Sequence, residues 1–144
     1  MKIKIRKSDV EKIYNWAIEG LPNESGGLVI TRKSAADSDT VEIVEVRSNQ
    51  NYKPSGAFFQ LHPVEFIEAY DSLNNNPESE LELRGFWHSH IFLGAYPSGI
   101  DLQTFQHEGF IYPIIGIRPN SGDYGFNVFT RKNGEIIKCD LEII

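Results

Sequence analysis

Apolar positions along the chain change their period several times, and each change marks an element. Lys2 to Arg6 alternates charge with isoleucine, which predicts a strand. Ser8 and Glu11 form a Ser-x-x-Glu capping box ahead of Val10, Ile13, Tyr14, Ala17 and Ile18 at helical spacing. That helix is expected to end near Gly20, before Pro22. Gly27 to Ile30 reads as a short buried strand, Ser34 to Asp39 as a polar turn, and Val41 to Val46 as a strand. Asn49 to Gly56 reads as a loop, followed by a strand over Ala57 to Leu61. Pro63 suits the first turn of a second helix, with Glu65 near its positive end and Phe66, Ile67, Tyr70 and Leu73 as its apolar stripe. Leu81 to His90 predicts a strand with Gly85 inside it, and Ser98 opens a third helix reaching about His107. Strands are expected over Tyr112 to Arg118, Tyr124 to Thr130 and Glu135 to Ile143, with Asn133-Gly134 as a hairpin turn. The sum is an α/β (α+β) chain in which a mixed sheet packs with about three helices.

No repeat, low-complexity stretch or long linker divides the 144 residues, so residues 1–144 are expected to form one domain. Hydrophobic residues at 40% and charged residues at 24% leave enough apolar material for a core. The net charge of −6 argues against nucleic acid or an anionic membrane as partner. No apolar run reaches the length of a signal peptide or a membrane span. Cys139 is the single cysteine, which excludes an internal disulfide framework and favours a reducing cytoplasm. It reads as a small core or surface residue without a chemical role.

The chemistry is concentrated in His88-Ser89-His90, Ser98 and Asp101. Residues i and i+2 of a strand share a face, so both imidazoles can reach one ion while Ser89 points the other way. Asp101 falls in the first turn of the next helix. Two imidazoles and a carboxylate are ligands for zinc, and three protein ligands leave the open position of a catalytic site. Each piece alone is weak: a strand histidine is commonly packed, and Ser-x-x-Asp also caps helices. The joint pattern outweighs the pieces, and capping does not prevent Ser98 from aiming its hydroxyl at the site. Glu24 lies upstream in the Gly-containing segment Glu24-Ser25-Gly26-Gly27, and by itself would read as an exposed loop glutamate. His62, before Pro63, and His107, at the expected end of the third helix, have no spacing partner and read as structural. The chain lacks His-Glu-x-x-His, and one cysteine cannot supply the Pro-Cys-x-x-Cys of nucleobase deaminases.

Glu24, His88-Ser89-His90, Ser98 and Asp101 together resemble the JAMM motif of the MPN (JAB domain) metalloproteases. Gly85-Phe86-Trp87 ahead of the histidines, Ser98-Gly99-Ile100-Asp101, and Gly26-Gly27-Leu28 after the glutamate extend the resemblance. Ile91 stands where the family usually has proline, and the short connection after the third helix resembles compact prokaryotic-type members. The resemblance implies a cytidine-deaminase-like layering and one Zn²⁺ per chain held by His88, His90 and Asp101. It implies Glu24 as general base and Ser98 as oxyanion donor. The reaction implied is hydrolysis of an isopeptide or peptide bond after the C-terminal tail of ubiquitin or of a ubiquitin-like or sulfur-carrier protein. A homodimer or a partner protein is compatible with this. The alternatives are a non-catalytic MPN scaffold for protein–protein interaction and a small-peptide or amide hydrolase on the same zinc site.

Overall fold

The computed structural model describes residues 1–35, 38–49 and 51–144. The expected turn over Ser34 to Asp39 and loop over Asn49 to Gly56 each lie partly outside the described residues.

The alternating isoleucines of β1 (Lys2–Ile5) point into the core, with Ile3 and Ile5 fully buried. The first helix, α1 (Lys7–Glu19), begins one residue ahead of the expected Ser8 cap. Arg6 holds the N-cap position, and its guanidinium reaches Asp9 at 3.1 Å and the Val44 carbonyl at 2.6 Å. An arginine–aspartate pair thus takes the place expected of Ser8 and Glu11. The buried stripe Val10, Ile13 and Ala17 matches the helical spacing, and Gly20 ends the helix.

Then follow β2 (Gly26–Arg32), β3 (Thr40–Asn49), α2 (Pro63–Leu73), β4 (Leu81–Ile91), α3 (Gly99–Thr104), β5 (Ile111–Arg118), β6 (Asp123–Lys132), β7 (Glu135–Lys138) and β8 (Asp140–Ile143). The eight strands lie in the order β7-β6-β5-β4-β2-β3-β1-β8. β4 and β5 are parallel, as are β1 with β3 and β8; the other neighbours are antiparallel. β2 and β4 are central and covered on both faces, which explains their long apolar runs. The period of two along β4 sends Trp87 toward α1, where it stacks on Trp16, and Phe86 toward α2, where it meets Phe66.

Further expectations need correction. Ala57 to Leu61 is not a strand; its backbone is held largely by the Asn51 side chain, with only an isolated Asn51–Leu61 bridge. The terminal strand divides at Cys139. β7 pairs with β6, and β8 pairs with β1 at the opposite end of the strand order, because the Cys139 N–H donates to Val128 and the Asp140 N–H to Met1. The third helix stops at Thr104, since Phe105 leaves helical geometry and packs inward against the rings of His88 and Tyr112. In α2, Ile67 and Tyr70 of the expected stripe are exposed, and Phe66, Ala69 and Leu73 form the packed face. Other readings hold: His62 caps α2 by accepting from the Val64 N–H, and Asn133-Gly134 turns the β6–β7 hairpin with both residues at positive φ. Cys139 is a buried core residue, and burial pushes its thiol up to about 11.

Candidate metal centre

His88 and His90 occupy the C-terminal end of β4 and share the face that carries Phe86. The capping box that starts α3 delivers Asp101 to the same point. The Ser98 hydroxyl accepts from the Asp101 N–H at 3.2 Å, and Asp101 Oδ2 accepts from the Ser98 N–H at 2.8 Å. The carboxylate is thereby aimed back over the strand end. Its Oδ1 lies 3.1 Å from His88 Nε2, and its Oδ2 lies 3.0 Å from His90 Nε2. The two Nε2 atoms are 3.1 Å apart.

These spacings fit a metal ion. Ligand atoms at about 2.0–2.1 Å in a tetrahedron lie roughly 3.3 Å from each other. His88, His90 and Asp101 are all buried, and among the described residues they form the one group of three such side chains converging on a point. His90 Nδ1 is 3.0 Å from the Gly94 carbonyl; donation there fixes the tautomer that turns the Nε2 lone pair toward the other ligands. Nitrogen and oxygen donors of this type and number suit zinc.

Charge follows the same geometry. Burial disfavours the Asp101 carboxylate, yet hydrogen bonds from His88, His90 and the Ser98 N–H hold it well below the usual carboxylate range. Burial alone would lower His90; the Asp101 hydrogen bond, the Gly94 carbonyl and nearby negative charge raise it instead.

Glu24 approaches from the segment leading into β2. The β2–β4 register sets Gly26 opposite His88, which brings Glu24 near the end of the histidine strand. It is 3% exposed, and burial pushes its carboxyl up to about 7, with His90 drawing it down and Asp101 adding to the rise. Its environment is therefore that of a group able to take and release a proton near neutral pH. A cavity of about 310 Å³ includes Glu24, Ser25, Asn51 and Trp16 in its wall. A second, of about 220 Å³, brings Phe59, Phe86, Phe105, Tyr112 and His107 beside His88 and Asp101.

All five residues singled out in the sequence thus gather in one region. Ser89 is fully buried and points away from the imidazoles, as the strand period requires. His107 is not at a helix end, and instead packs on Phe86 and Phe110 at the wall of the second cavity. Sequence reading missed Phe59, Asn51 and the Gly94 carbonyl. None carries a spacing signal, because their positions depend on contacts between distant segments.

Comparison with known proteins agrees with this geometry. The profile of prokaryotic homologs of the JAB domain matches residues 6–130. A desampylase from Pyrococcus furiosus is 30% identical over 92 residues, or 63% of this chain and 61% of that protein, so the match spans less than two thirds of the relative. A solved structure from Desulfitobacterium hafniense superposes with a TM-score of 0.80 at 24% identity, covering 100% of this chain and 93% of that one. One from Salinibacter ruber gives 0.69 at 18% identity, covering 100% and 92%. A JAB1/MPN domain protein from Archaeoglobus fulgidus gives 0.53 at 21% identity, covering 98% of each chain. At these identities the structural likeness concerns the fold.

Proposed function

The chain belongs to the family of prokaryotic homologs of the JAB domain, and from that premise we propose that it is a JAMM-type zinc hydrolase cleaving isopeptide or peptide bonds after the C-terminal tail of a ubiquitin-like protein. The observation that carries this reading is the convergence of His88, His90 and Asp101 with the buried carboxyl of Glu24 beside them. The relative named desampylase supports a ubiquitin-like modifier as the substrate class. Ubiquitin and sulfur-carrier proteins belong to the same class.

His88, His90 and Asp101 would hold the metal. The chemistry such an ion supplies is Lewis acidity, which makes water acidic near pH 7 and polarises a carbonyl. Glu24 accepts the proton of the attacking water and returns it to the leaving amine, a role worth typically about 10²–10⁴-fold. The Ser98 oxygen accepts from the Asp101 N–H, which leaves its hydrogen to donate to the developing oxyanion. Asp101 stays ionised throughout, because the Ser98 N–H it accepts from and a bound cation both favour the anion. A scaffold that only held partners would gain nothing from keeping the Glu24 carboxyl buried at a cost in desolvation.

The test is incubation of the zinc-loaded protein with ubiquitin-like fusions and lysine-linked chains, with and without chelator. Cleavage at the end of the tail is expected, abolished by chelation and by Glu24→Gln at unchanged zinc content. Cleavage of small amides alone would move the reading to a peptidase on the same site. No hydrolysis by the wild-type protein, with partner binding unchanged in Glu24→Gln, would identify a scaffold.

A further inference from the structure

The connection between β3 and α2 contains an asparagine whose amide is fully committed. Asn51 is 8% exposed. Its Nδ2 donates to the Glu24 carbonyl at 3.2 Å and to the Phe58 carbonyl at 3.2 Å. Its Oδ1 accepts from the Lys53 N–H at 3.3 Å and the Gln60 N–H at 3.1 Å. A primary amide has two donors and two acceptor lone pairs on its oxygen, so no capacity is left over. The Glu24 N–H in turn donates to the Ser55 carbonyl at 2.7 Å. Both backbone polar groups of Glu24 are therefore held by a single loop folded around Asn51. The same loop lays the Phe59 ring against Gly26, where a Cβ would come within 2.5 Å of it.

The two bonds to Oδ1 are ordinary loop-forming contacts. The bond from Nδ2 to Glu24 is different: it crosses 27 positions of sequence and ends on the residue whose carboxyl neighbours His90 and Asp101. We propose that Asn51 is the positioning residue of Glu24, fixing its backbone so that the carboxyl is presented to the metal centre. This rests on the base role proposed above. A misplacement of about 1 Å at such a group can cost on the order of 10² in rate. The hydrogen bonds of Asn51 go to Glu24 and to its own loop and none goes to His88, His90 or Asp101, so its removal is expected to act on kcat through Glu24.

Asn51→Asp is the decisive variant. It keeps the shape and the Oδ1 acceptors but turns the donor to Glu24 and Phe58 into an acceptor and adds a negative charge, so the uncharged Asn51→Ala is read beside it. With a ubiquitin-like fusion that the wild type cleaves, kcat is expected to fall about 10–100-fold, with KM within about twofold and one zinc per chain retained. Added to Glu24→Gln, Asn51→Asp is expected to cause no further loss of residual turnover, because the two act as a unit. In the metal-free protein, the Glu24 amide is expected to exchange with solvent at least about tenfold faster while the Trp87 amide of β4 is unchanged. Wild-type kcat, a raised KM at unchanged kcat, or loss of zinc from Asn51→Asp would each overturn the proposal. Asn51→Ala serves as a second variant with the same expected split. If Glu24→Gln retains full turnover, the base reading fails by itself; amide exchange then still decides whether Asn51 clamps the segment, and unaltered exchange at Glu24 refutes it.

Discussion

The Ser89 hydroxyl accepts a 2.8 Å hydrogen bond from the Ser25 N–H, and the Ser25 carbonyl accepts one from the Ser89 N–H at 2.8 Å. The residue between the two histidines thus secures the segment that carries Glu24 to the strand that carries the imidazoles. It does so because the strand period turns it away from the metal face.

Ser89→Ala removes the hydroxyl acceptor and strands the Ser25 N–H in a partly buried setting. The cost is expected to be about 1–3 kcal/mol, the usual penalty for an orphaned buried partner. Urea denaturation of the metal-free protein measures it, and an unchanged midpoint would show that the bond does not hold the segment. Zinc content should stay at one per chain, since His88 and His90 keep their other contacts.

Asp101→Asn tests the electrostatics of the ligand set. His90 sits above its ordinary value because Asp101 outweighs burial. Without that carboxylate, burial is opposed only by the Gly94 carbonyl and Glu24, and the His90 pKa in the metal-free protein should fall below the wild-type value when followed by NMR titration of the ring. The sign for stability follows. A histidine whose folded pKa is raised contributes fully below its unfolded value of 6.5 and loses that contribution as pH rises through the folded value. The stabilising effect of Asp101 through His90 should therefore weaken from pH 6 toward alkaline conditions.

Glu24 moves stability in the same direction, over a lower pH window. Its folded pKa rises from 4.5 to about 7, so the metal-free folded chain binds more protons than the unfolded one across that window and loses stability as pH rises through it. Glu24→Gln removes a titrating group without changing its shape. Relative to wild type, metal-free Glu24→Gln should gain on the order of 1–3 kcal/mol in going from pH 4 to pH 8. Denaturant melts at the two pH values check this, and a difference that does not change with pH would refute the buried-acid assignment.

The parts of the site readable from sequence were those set by local geometry. His88 and His90 share a face through the strand period, and Asp101 turns back through a three-residue cap, so both follow from spacing alone. Long-range pairing was not readable. Ala57 to Leu61 is apolar enough for a strand, but the Asn51 amide takes up hydrogen bonds that a ladder would otherwise make. The run from Glu135 to Ile143 looks like one strand because alternation does not record which partner is paired. At Cys139 the partner changes from β6 to β1. Asn51 has the same local sequence character as any loop asparagine, and only the fold brings Glu24 to it.

Gly116 provides a test of how the loop after β4 supports His90. The two residues are paired in the β4–β5 ladder. The loop then folds back over β5, with Phe92 at φ 59, and brings the Gly94 carbonyl to His90 Nδ1. A Cβ on Gly116 would lie 2.5 Å from the Leu93 carbonyl oxygen and 2.9 Å from the Ala95 nitrogen. These are backbone atoms, so Gly116→Ala has to displace the loop itself, and the Gly94 carbonyl moves with it. Partners of this kind around a metal-binding histidine typically contribute about 10–100-fold in affinity. Gly116→Ala should weaken zinc binding by that order, as measured by competition with a chelator. Gly125→Ala is the control, because its Cβ would make only an ordinary 3.6 Å contact with Ala95. Weakened binding in Gly116→Ala beside wild-type binding in Gly125→Ala would place the effect in the carbonyl that orients His90; equal affinities in both would show that the ligand holds its orientation without the loop.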